Sequence, residues 1–214
     1  CVGGCATTRN IVTETTPLDP PHGKALRWSF DEGGLLENWT TAETHGRGRP
    51  ASWTVQKDGE APSSPAVLKL NTSNTGGTFN LCIVDQPKAA DVDLAVKVRA
   101  DSGREDQGGG LVWRYRDPSN YYVARWNPLE ANYALYKVVG NKRTLLTEVS
   151  ASDRASAWTT LRVVQVKDRI DCYIDDKRVI AVKDGSLAGA GQVGLWSKAD
   201  ASSSFDDLKV TFAE

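Results

Sequence analysis

The sequence lacks methionine altogether and has only two histidines and four cysteines among 214 residues. It also lacks an excess of either charge, because 26 lysines and arginines stand against 27 aspartates and glutamates without a basic block. Such a chain has no sequence-independent hold on phosphates, which excludes nucleic acid as an expected partner. No run reaches the roughly 18 apolar residues that span a bilayer, and no window of a dozen residues repeats apolar positions at helical spacing. We therefore expect an ordinary globular domain with very little helix.

The cysteines do not form a zinc-binding pattern, because Cys82 and Cys172 have neither CxxC spacing nor a neighbouring histidine. Both lie in strand-like segments, and their alternation with the surrounding residues does not point them at each other. We predict two unpaired, buried thiols.

The first residues carry a membrane-anchoring motif. A Val-Gly-Gly-Cys sequence ending at Cys5 is typical of a bacterial lipobox, in which Cys5 becomes the lipidated first residue. We expect the natural start upstream, residues 1–23 to be a lipobox remnant and tether, and the protein to be an outer-membrane lipoprotein or extracellular. The alternative is a short leader, or a small disulfide loop between Cys1 and Cys5.

From Lys24 onward, apolar and polar residues alternate with the period of two that is typical of strands. Turn sequences such as Asp-Pro-Ser-Asn at 117–120 and Gly-Asn at 140–141 separate alternating runs and predict hairpins. So many short strands do not fit one open sheet, and we predict an all-β, two-sheet antiparallel jelly-roll sandwich that spans residues 24–214 as one domain. The predicted strands are Ala25–Phe30, Trp53–Gln56, Ala66–Leu70, Thr78–Val84, Val92–Arg99, Gly109–Tyr115, Tyr121–Trp126, Tyr133–Val138, Arg143–Thr147, Thr159–Val166, Arg169–Ile174, Arg178–Val182, Gln192–Ser197 and Ser203–Thr211.

Alternation within two neighbouring strands predicts which side chains face outward. If the faces with Leu111, Trp113 and Tyr115, and with Tyr122 and Trp126, fill the core, the opposite faces form one outer surface. We call this set the predicted arginine surface: Arg114, Arg116, Tyr121, Arg125 and Asn127.

Several segments resemble a known superfamily in content and in order along the chain. They are Gly-Gly-Gly-Leu-Val-Trp-Arg-Tyr-Arg-Asp-Pro-Ser-Asn-Tyr-Tyr-Val-Ala-Arg-Trp at 108–126, Trp-Thr-Thr-Leu-Arg-Val at 158–163, Ile-Asp-Cys-Tyr-Ile-Asp-Asp-Lys at 170–177, Gly-Gln-Val-Gly-Leu-Trp at 191–196 and Phe-Asp-Asp-Leu-Lys-Val at 205–210. The chain resembles the concanavalin A-like lectin/glucanase superfamily. Within it, the bacterial 3-keto-disaccharide hydrolase-like and family-sixteen glycosidase-like domains, relatives of laminin G-like modules, are the most similar branch.

The resemblance implies a jelly roll whose concave sheet face binds saccharide, in secreted or surface-anchored bacterial proteins. The Glu-x-Asp-x-x-Glu strand of retaining family-sixteen enzymes is absent from this sequence, so that catalytic mechanism is not carried over.

Catalytic candidates lie in loop-like stretches. The usual route of glycoside hydrolysis needs two carboxylates about 5 to 10 Å apart, and the free ones are Glu43, Glu105, Asp106 and Glu130. His45 lies in a segment rich in Gly and Arg and could act as a general base near neutral pH. We therefore select His45 with Glu43, Glu105 or Glu130, and the alternative is that these loops are solvated turns with local ion pairs.

Binding candidates come from the predicted arginine surface, because sugar hydroxyls need fixed donors and acceptors and an aromatic ring covers the apolar sugar face. The alternative is a sheet surface that keeps arginine for solubility and cross-strand pairing. Of the seven tryptophans, those at 28, 113, 126 and 196 are predicted to be core. Trp39 and Trp53, beside the His45 loop, are the better candidates for a sugar platform.

The resemblance also implies a structural Ca²⁺ held by the first and last strands. Asp31 and either Asp206 or Asp207 occupy matching positions, and carboxylates are suitable hard ligands. The alternative is that these are exposed acids on paired terminal strands. We expect no other cofactor.

We thus expect a carbohydrate-binding jelly-roll domain of a bacterial surface lipoprotein or secreted protein. The first alternative is a glycoside-processing enzyme of the 3-keto-disaccharide hydrolase type, and the second is a structural or adhesion module.

Overall fold

The computed structural model describes residues 16–31, 35–46, 50–151 and 154–213. These residues form fifteen strands and one short 3₁₀ helix at Leu35–Asn38, and no helix among them is long and apolar enough to cross a membrane. The strands are β1 (Lys24–Trp28), β2 (Trp39–Thr44), β3 (Ser52–Lys57), β4 (Ala66–Asn71), β5 (Phe79–Val84), β6 (Val92–Ser102), β7 (Gly109–Asp117), β8 (Asn120–Asn127), β9 (Asn132–Val139), β10 (Lys142–Ser150), β11 (Thr159–Val166), β12 (Arg169–Ile174), β13 (Lys177–Lys183), β14 (Gln192–Lys198) and β15 (Ser202–Phe212).

The strands form two antiparallel sheets. Sheet A has the order β13-β12-β11-β6-β15-β4-β3, with β1 also paired to β15, and sheet B has the order β10-β9-β8-β7-β14-β5-β2. The all-β, two-sheet jelly-roll prediction is confirmed, and every predicted strand is present with small shifts at its ends.

Strand β2 is the one that the sequence pattern did not reveal. Its sequence, Trp-Thr-Thr-Ala-Glu-Thr, is polar on both faces, so it lacks the alternation by which the other strands were recognised. Glu43 and its register partner Asn80 face the interior of the sandwich, and Glu43 accepts hydrogen bonds there from Asn74 Nδ2 (2.8 Å) and the Ala51 amide (3.2 Å).

The main core lies between the sheets and contains the inward faces that alternation predicted for β7 and β8. Trp113, Tyr122 and Trp126 are fully buried there. Cys82 and Cys172 are buried free thiols in the same core, as predicted.

A β-bulge in β7 overturns part of the predicted alternation. The register with β8 shifts between Trp113 and Asp117, and Arg114 has a φ of 48°. An extra residue in a strand reverses the facing of those that follow. Tyr115 therefore lies on the outer side of sheet B and not in the core with Trp113.

Sheet B is so strongly curved that its outer face is a narrow concavity. β10 and β5 are five strand spacings apart in the sheet order, about 24 Å in a flat sheet. The Arg143 guanidinium of β10 nevertheless lies 4.8 Å from the centre of the Phe79 ring of β5. Thr44 of β2 likewise reaches the hydroxyl of Tyr121 in β8, at 2.9 Å. We call this side of sheet B the concave face.

A second apolar cluster lines the concave face. It buries side chains from β5, β7, β8, β9 and β14, and these are Phe79, Leu81, Ile83, Val112, Tyr115, Tyr121, Val123, Ala134, Tyr136, Val138 and Trp196. The floor of the concavity is therefore packed by the protein itself, and polar groups concentrate at the end where β5 begins and β8 ends.

The described end of the predicted tether, residues 16–23, contacts sheet A. Leu18 is buried beside Val164 and Tyr173, and its amide donates to Asp171 Oδ2 at 2.9 Å. At this point the segment packs on the domain instead of burying little, as its composition suggested. The rest of the predicted tether lies outside the described residues, as does Cys5.

Candidate functional site

Arg125 is the central residue of the polar end of the concave face. Alternation along β8 points Tyr121, Arg125 and Asn127 to this side, as predicted for these three residues. The Arg125 side chain is 2% exposed, and its Nη2 donates to Glu130 Oε2 at 2.6 Å. Its Nη1 lies 3.6 Å from Asp106 Oδ1. A side-chain hydrogen bond with Tyr136 also contributes to the environment of this guanidinium.

Two carboxylates in different surroundings face this guanidinium. Burial raises the pKa of Asp106 above its ordinary value, although Lys198 Nζ donates to Oδ2 at 2.7 Å and Asn127 Nδ2 to Oδ1 at 3.0 Å. Burial is the largest influence on Glu130 and acts to raise its pKa, but the hydrogen bond and charge of Arg125, together with Asn132 and Lys198, outweigh it, so that pKa is lowered. The Glu130 side chain is 44% exposed and can meet a ligand from solvent.

Arg125 stays firmly charged. Burial alone would lower the pKa of its guanidinium, but Asp106 foremost, together with Tyr136 and Glu130, raises it above the ordinary value. Asp106 and Glu130 are therefore both paired with a guanidinium that remains positively charged.

Arg143 reaches across the concave face from β10. Its guanidinium lies over the Tyr136 ring at 4.5 Å and the Phe79 ring at 4.8 Å. Nη1 has no hydrogen-bond partner among the described residues. Burial lowers the pKa of Arg143, and the positive charge of Arg125 acts in the same direction.

We call this group of side chains the arginine cluster: Arg125, Arg143, Tyr136, Phe79 and Trp196. Phe79 packs on Trp196 at 5.3 Å between ring centres, and the buried Trp196 side chain forms a hydrogen bond with Tyr121. Arg125 lies 6.0 Å from the Tyr136 ring, so the aromatic rings connect the two guanidinium groups.

His45 lies at the edge of the arginine cluster. Its exposed ring is 5.8 Å from the Phe79 ring, and its backbone has a φ of 57°. A cavity of about 390 Å³ is lined by His45 and residues 75–78. Of the four predicted catalytic residues, the structure brings His45 and Glu130 to the concave face.

The other two predicted acids lie elsewhere. Glu43 faces the interior of the sandwich, as described above. The exposed Glu105 accepts a hydrogen bond from the Gly76 amide at 2.7 Å, while its own amide donates to Asp200. Both connect loops, and neither faces Arg125.

Arg114 was predicted to lie on the same surface as Arg125, and the structure corrects this. The bulge turns it toward the loops beside sheet B, where it donates to the carbonyl groups of Ala90 (2.7 Å), Leu187 (2.9 Å) and Lys167 (2.6 Å). The exposed Arg116 bonds the Ala188 carbonyl in the same region. Neither residue belongs to the candidate site.

The prediction of a sugar platform at Trp39 and Trp53 is wrong, because both tryptophans are buried in the core. Trp53, selected as a sugar platform, is 5% exposed and packs on Phe205 in the core at 5.6 Å, and Trp39 is also in the core. Trp196, predicted to be core, is buried as expected, in the apolar cluster on the concave face. Trp53 was misassigned because proximity in sequence to His45 does not report the facing of a strand in the other sheet.

The predicted calcium ligands have protein partners. Asp206 is buried and accepts hydrogen bonds from the Ser63 amide (2.7 Å) and hydroxyl (2.8 Å), while Asp207 pairs with Arg27 and Lys97. Asp31 accepts from the Ala66 amide at 3.3 Å. In the described part of the chain, no three His, Cys, Asp or Glu side chains are grouped to hold a metal ion. The calcium prediction therefore gains no support from the side chains seen here.

Sequence reasoning did not assign Arg143, Tyr136, Lys198 and Asp106 to the site. Asp106 was noted only as a loop carboxylate, whereas the facing of Tyr136 follows from the same alternation that places Arg125. The position of Arg143 depends on the curvature of sheet B, for which the sequence carries no local signal.

The fold and its curved, polar-ended sheet define this protein as a concanavalin A-like jelly roll. The model of the family described as the 3-keto-alpha-glucoside-1,2-lyase-like domain matches residues 27–211, and the chain belongs to this family. The resemblance noted in the sequence is thus confirmed. No curated protein matches the sequence.

Solved structures share the fold at low sequence identity. The carbohydrate binding module CBM66 from Bacillus subtilis is 21% identical, with a TM-score of 0.64 over 83% of this chain and 98% of that one. The cellulose induced protein Cip1 is 11% identical, with a TM-score of 0.65 over 88% and 97%. The GH43 protein BlXynB from Bacillus licheniformis is 19% identical, with a TM-score of 0.62 over 87% of this chain and 39% of that one.

Proposed function

We propose that the protein binds a saccharide at the polar end of the concave face. One observation carries the proposal: the buried Arg125 guanidinium lies beside the Tyr136 ring and is paired with the carboxylate of Glu130, which is 44% exposed and can meet a ligand from solvent. Sugars offer hydroxyls that accept from a guanidinium and donate to a carboxylate, and an apolar ring face that packs on aromatic side chains. Tyr136 and His45 supply such rings at the edge of the site.

Two comparisons support this proposal. The family description names a domain that acts on glucosides, and the similar Bacillus subtilis structure is named a carbohydrate binding module. An adhesion role has less support, because the exposed large hydrophobic residues of the described chain, Leu129 and Val139, lie at opposite ends of β9 and form no patch.

Titration calorimetry against a panel of neutral and charged oligosaccharides tests the proposal. Glu130→Ala and Arg125→Lys should each weaken binding about tenfold or more, because the first removes a charged hydrogen-bond partner and the second replaces the planar guanidinium fork with a single ammonium. Arg116→Gln is the matched control, because it removes an arginine that lies outside the site. Undiminished affinity in both site variants, or no binding by the wild type across the panel, would refute the proposal.

A second function is turnover of 3-keto-glycosides, which the opposite pKa shifts of Asp106 and Glu130 favour. A 1,2-elimination removes the proton at C2, next to the C3 carbonyl, and expels the glycosidic oxygen from C1. Glu130 would serve as the base, Asp106 in its protonated form, which burial favours, would serve as the acid for the departing oxygen, and Arg125 and Lys198 would stabilise the charge that develops on the carbonyl oxygen. His45 is the alternative base.

Mass spectrometry of the protein with a 3-keto disaccharide separates this function from simple binding. Glu130→Gln should abolish product formation while retaining binding, and His45→Ala tests the alternative base. An intact disaccharide after prolonged incubation with wild-type protein that binds it would eliminate the enzyme and leave the binding module.

We also propose that Cys5 anchors the domain to a bacterial cell envelope. The Val-Gly-Gly-Cys motif is the support. Mass spectrometry of the N-terminal peptide from the native source should show a diacylglyceryl group on Cys5, and an unmodified Cys5 would refute the anchor.

A further inference from the structure

The charges of the concave face are unevenly paired. Arg125 has Glu130 and Asp106, and Lys198 has Asp106. Arg143 has no carboxylate partner in the described part of the chain, and its guanidinium lies over the two aromatic rings of Phe79 and Tyr136. Arg143 therefore contributes a positive charge that no carboxylate of the described residues balances, where β10 and β5 approach each other across the concave face.

Stacking on rings does not use the hydrogen-bonding capacity of a guanidinium. The cation lies over the ring faces, so its N–H bonds, which lie in the guanidinium plane, remain free for a planar acceptor. Nη1 of Arg143 is buried without a hydrogen-bond partner, and an unpaired buried donor is costly to the free protein. A ligand that supplies the acceptor recovers this cost.

A carboxylate satisfies Arg143 better than a hydroxyl or a ketone does. Its two oxygens match the guanidinium fork, and its negative charge offsets the repulsion between Arg143 and Arg125.

We infer that the arginine cluster selects saccharides that carry a carboxylate, as uronic acids do, and that Arg143 binds that carboxylate. This inference rests on the proposed saccharide site. It adds a ligand class, which neither the family description nor the names of the similar structures specify.

The test compares oligogalacturonides and glucuronoxylan-derived acidic oligosaccharides with the same compounds after chemical reduction of the carboxyl to a hydroxyl. The full chain should bind the acidic forms about tenfold or more tightly than the reduced forms. The ratio should fall as salt is raised, because a half-buried ion pair at the edge of the site is partly screened.

Variants test whether Arg143 causes the preference for acidic over reduced oligosaccharides. Arg143→Gln should bring the acidic-to-reduced affinity ratio close to one, and Arg143→Lys should keep part of it through charge without the fork. Lys142→Gln, which removes an exposed positive charge one residue away, should leave the ratio unchanged. Thermal unfolding of each variant confirms that it is folded.

The outcomes separate this inference from the proposed function. Equal binding of acidic and reduced forms by the wild type, or a ratio unaffected by Arg143→Gln, overturns the carboxylate assignment while saccharide binding stands. Failure of the wild type to bind either form, or any neutral oligosaccharide of the panel, overturns both.

Discussion

Three arginines of similar strand context have three different surroundings in this protein. Arg114 donates to three backbone carbonyls, Arg125 pairs with two carboxylates, and Arg143 stacks on two rings. A guanidinium can do each of these because it combines a fixed charge, five donors and a flat face. Only the last two arginines lie on the concave face, which is why they define the candidate site.

Arg114 should be essential for stability and irrelevant to binding. Its side chain is 3% exposed, and Arg114→Met leaves the carbonyls of Ala90, Leu187 and Lys167 without their donor. We expect the free energy of unfolding to fall by about 3 kcal/mol. Urea titration followed by tryptophan fluorescence measures this. Arg116→Met, at an exposed position nearby, should change it by no more than about 0.5 kcal/mol. Equal losses in the two variants would show that the carbonyl contacts are not the cause.

At the level of elements, the β7–β8 hairpin contacts the edge strand β2 across the curved sheet B. Its turn reaches β2, where the Thr44 hydroxyl donates to the Pro118 carbonyl at 2.5 Å and shares a hydrogen bond with Tyr121. The neighbouring β9–β10 turn is joined to it, because the Asn141 amide donates to the Ser119 carbonyl. The two hairpins therefore bend together over the concave face.

Removal of the Thr44 hydroxyl should loosen this contact. Thr44→Val keeps the shape of the side chain but removes the hydrogen bonds that Thr44 forms with the buried Tyr121 hydroxyl and the Pro118 carbonyl, at a cost of about 2 kcal/mol. Hydrogen exchange should show faster exchange in the β7–β8 and β9–β10 turns. Thr40→Val, at an exposed position of the same strand, is the control, and unchanged exchange in Thr44→Val would contradict the role of the contact.

The sequence predicted those features of the strands and hairpins that depend on residues adjacent in the chain. The period of two and the turn residues at 117–120 and 140–141 predicted the strands and hairpins, because both signals are confined to neighbouring residues. The bulge at Arg114 and the curvature that brings Arg143 to Phe79 arise from contacts between distant strands. The alternation rule consequently placed Arg125 correctly and Arg114 and Tyr115 on the wrong sides.

For the molecule as a whole, the two sheets are joined at their edges by the loop that follows β13. Asp184 in this loop accepts from Tyr122 of β8 at 2.6 Å and from Lys137 of β9 at 2.7 Å. The Leu187 amide donates to the Tyr122 hydroxyl at 3.2 Å. Asp184 thus connects a sheet A hairpin to two sheet B strands, and it does so as a charged group.

This charge makes the connection dependent on pH. Burial acts to raise the pKa of Asp184, but the hydrogen bonds from Lys137 and Tyr122 prevail and hold it below its ordinary value. A carboxylate whose pKa is lower in the folded state stabilises that state above its unfolded-state pKa of 3.8. That stabilisation is lost as the pH falls through the folded-state pKa.

Asp184→Asn should therefore destabilise the protein at pH 7 by about 2 kcal/mol, and the difference from wild type should shrink as the pH falls below about 4. The difference between the two proteins is the informative quantity, because other carboxyl groups titrate in the same range. Four other carboxyl groups have lowered pKa values and change stability with the same sign as Asp184; they are Asp58, Glu130, Asp200 and Asp207. Asp106 and Asp206 have raised pKa values and change stability with the opposite sign. Urea titrations at pH 7, 5 and 3 measure the difference, with the exposed Asp168→Asn as control. A difference that stays constant across the three pH values would mean that Asp184 joins the sheets through its shape and not its charge.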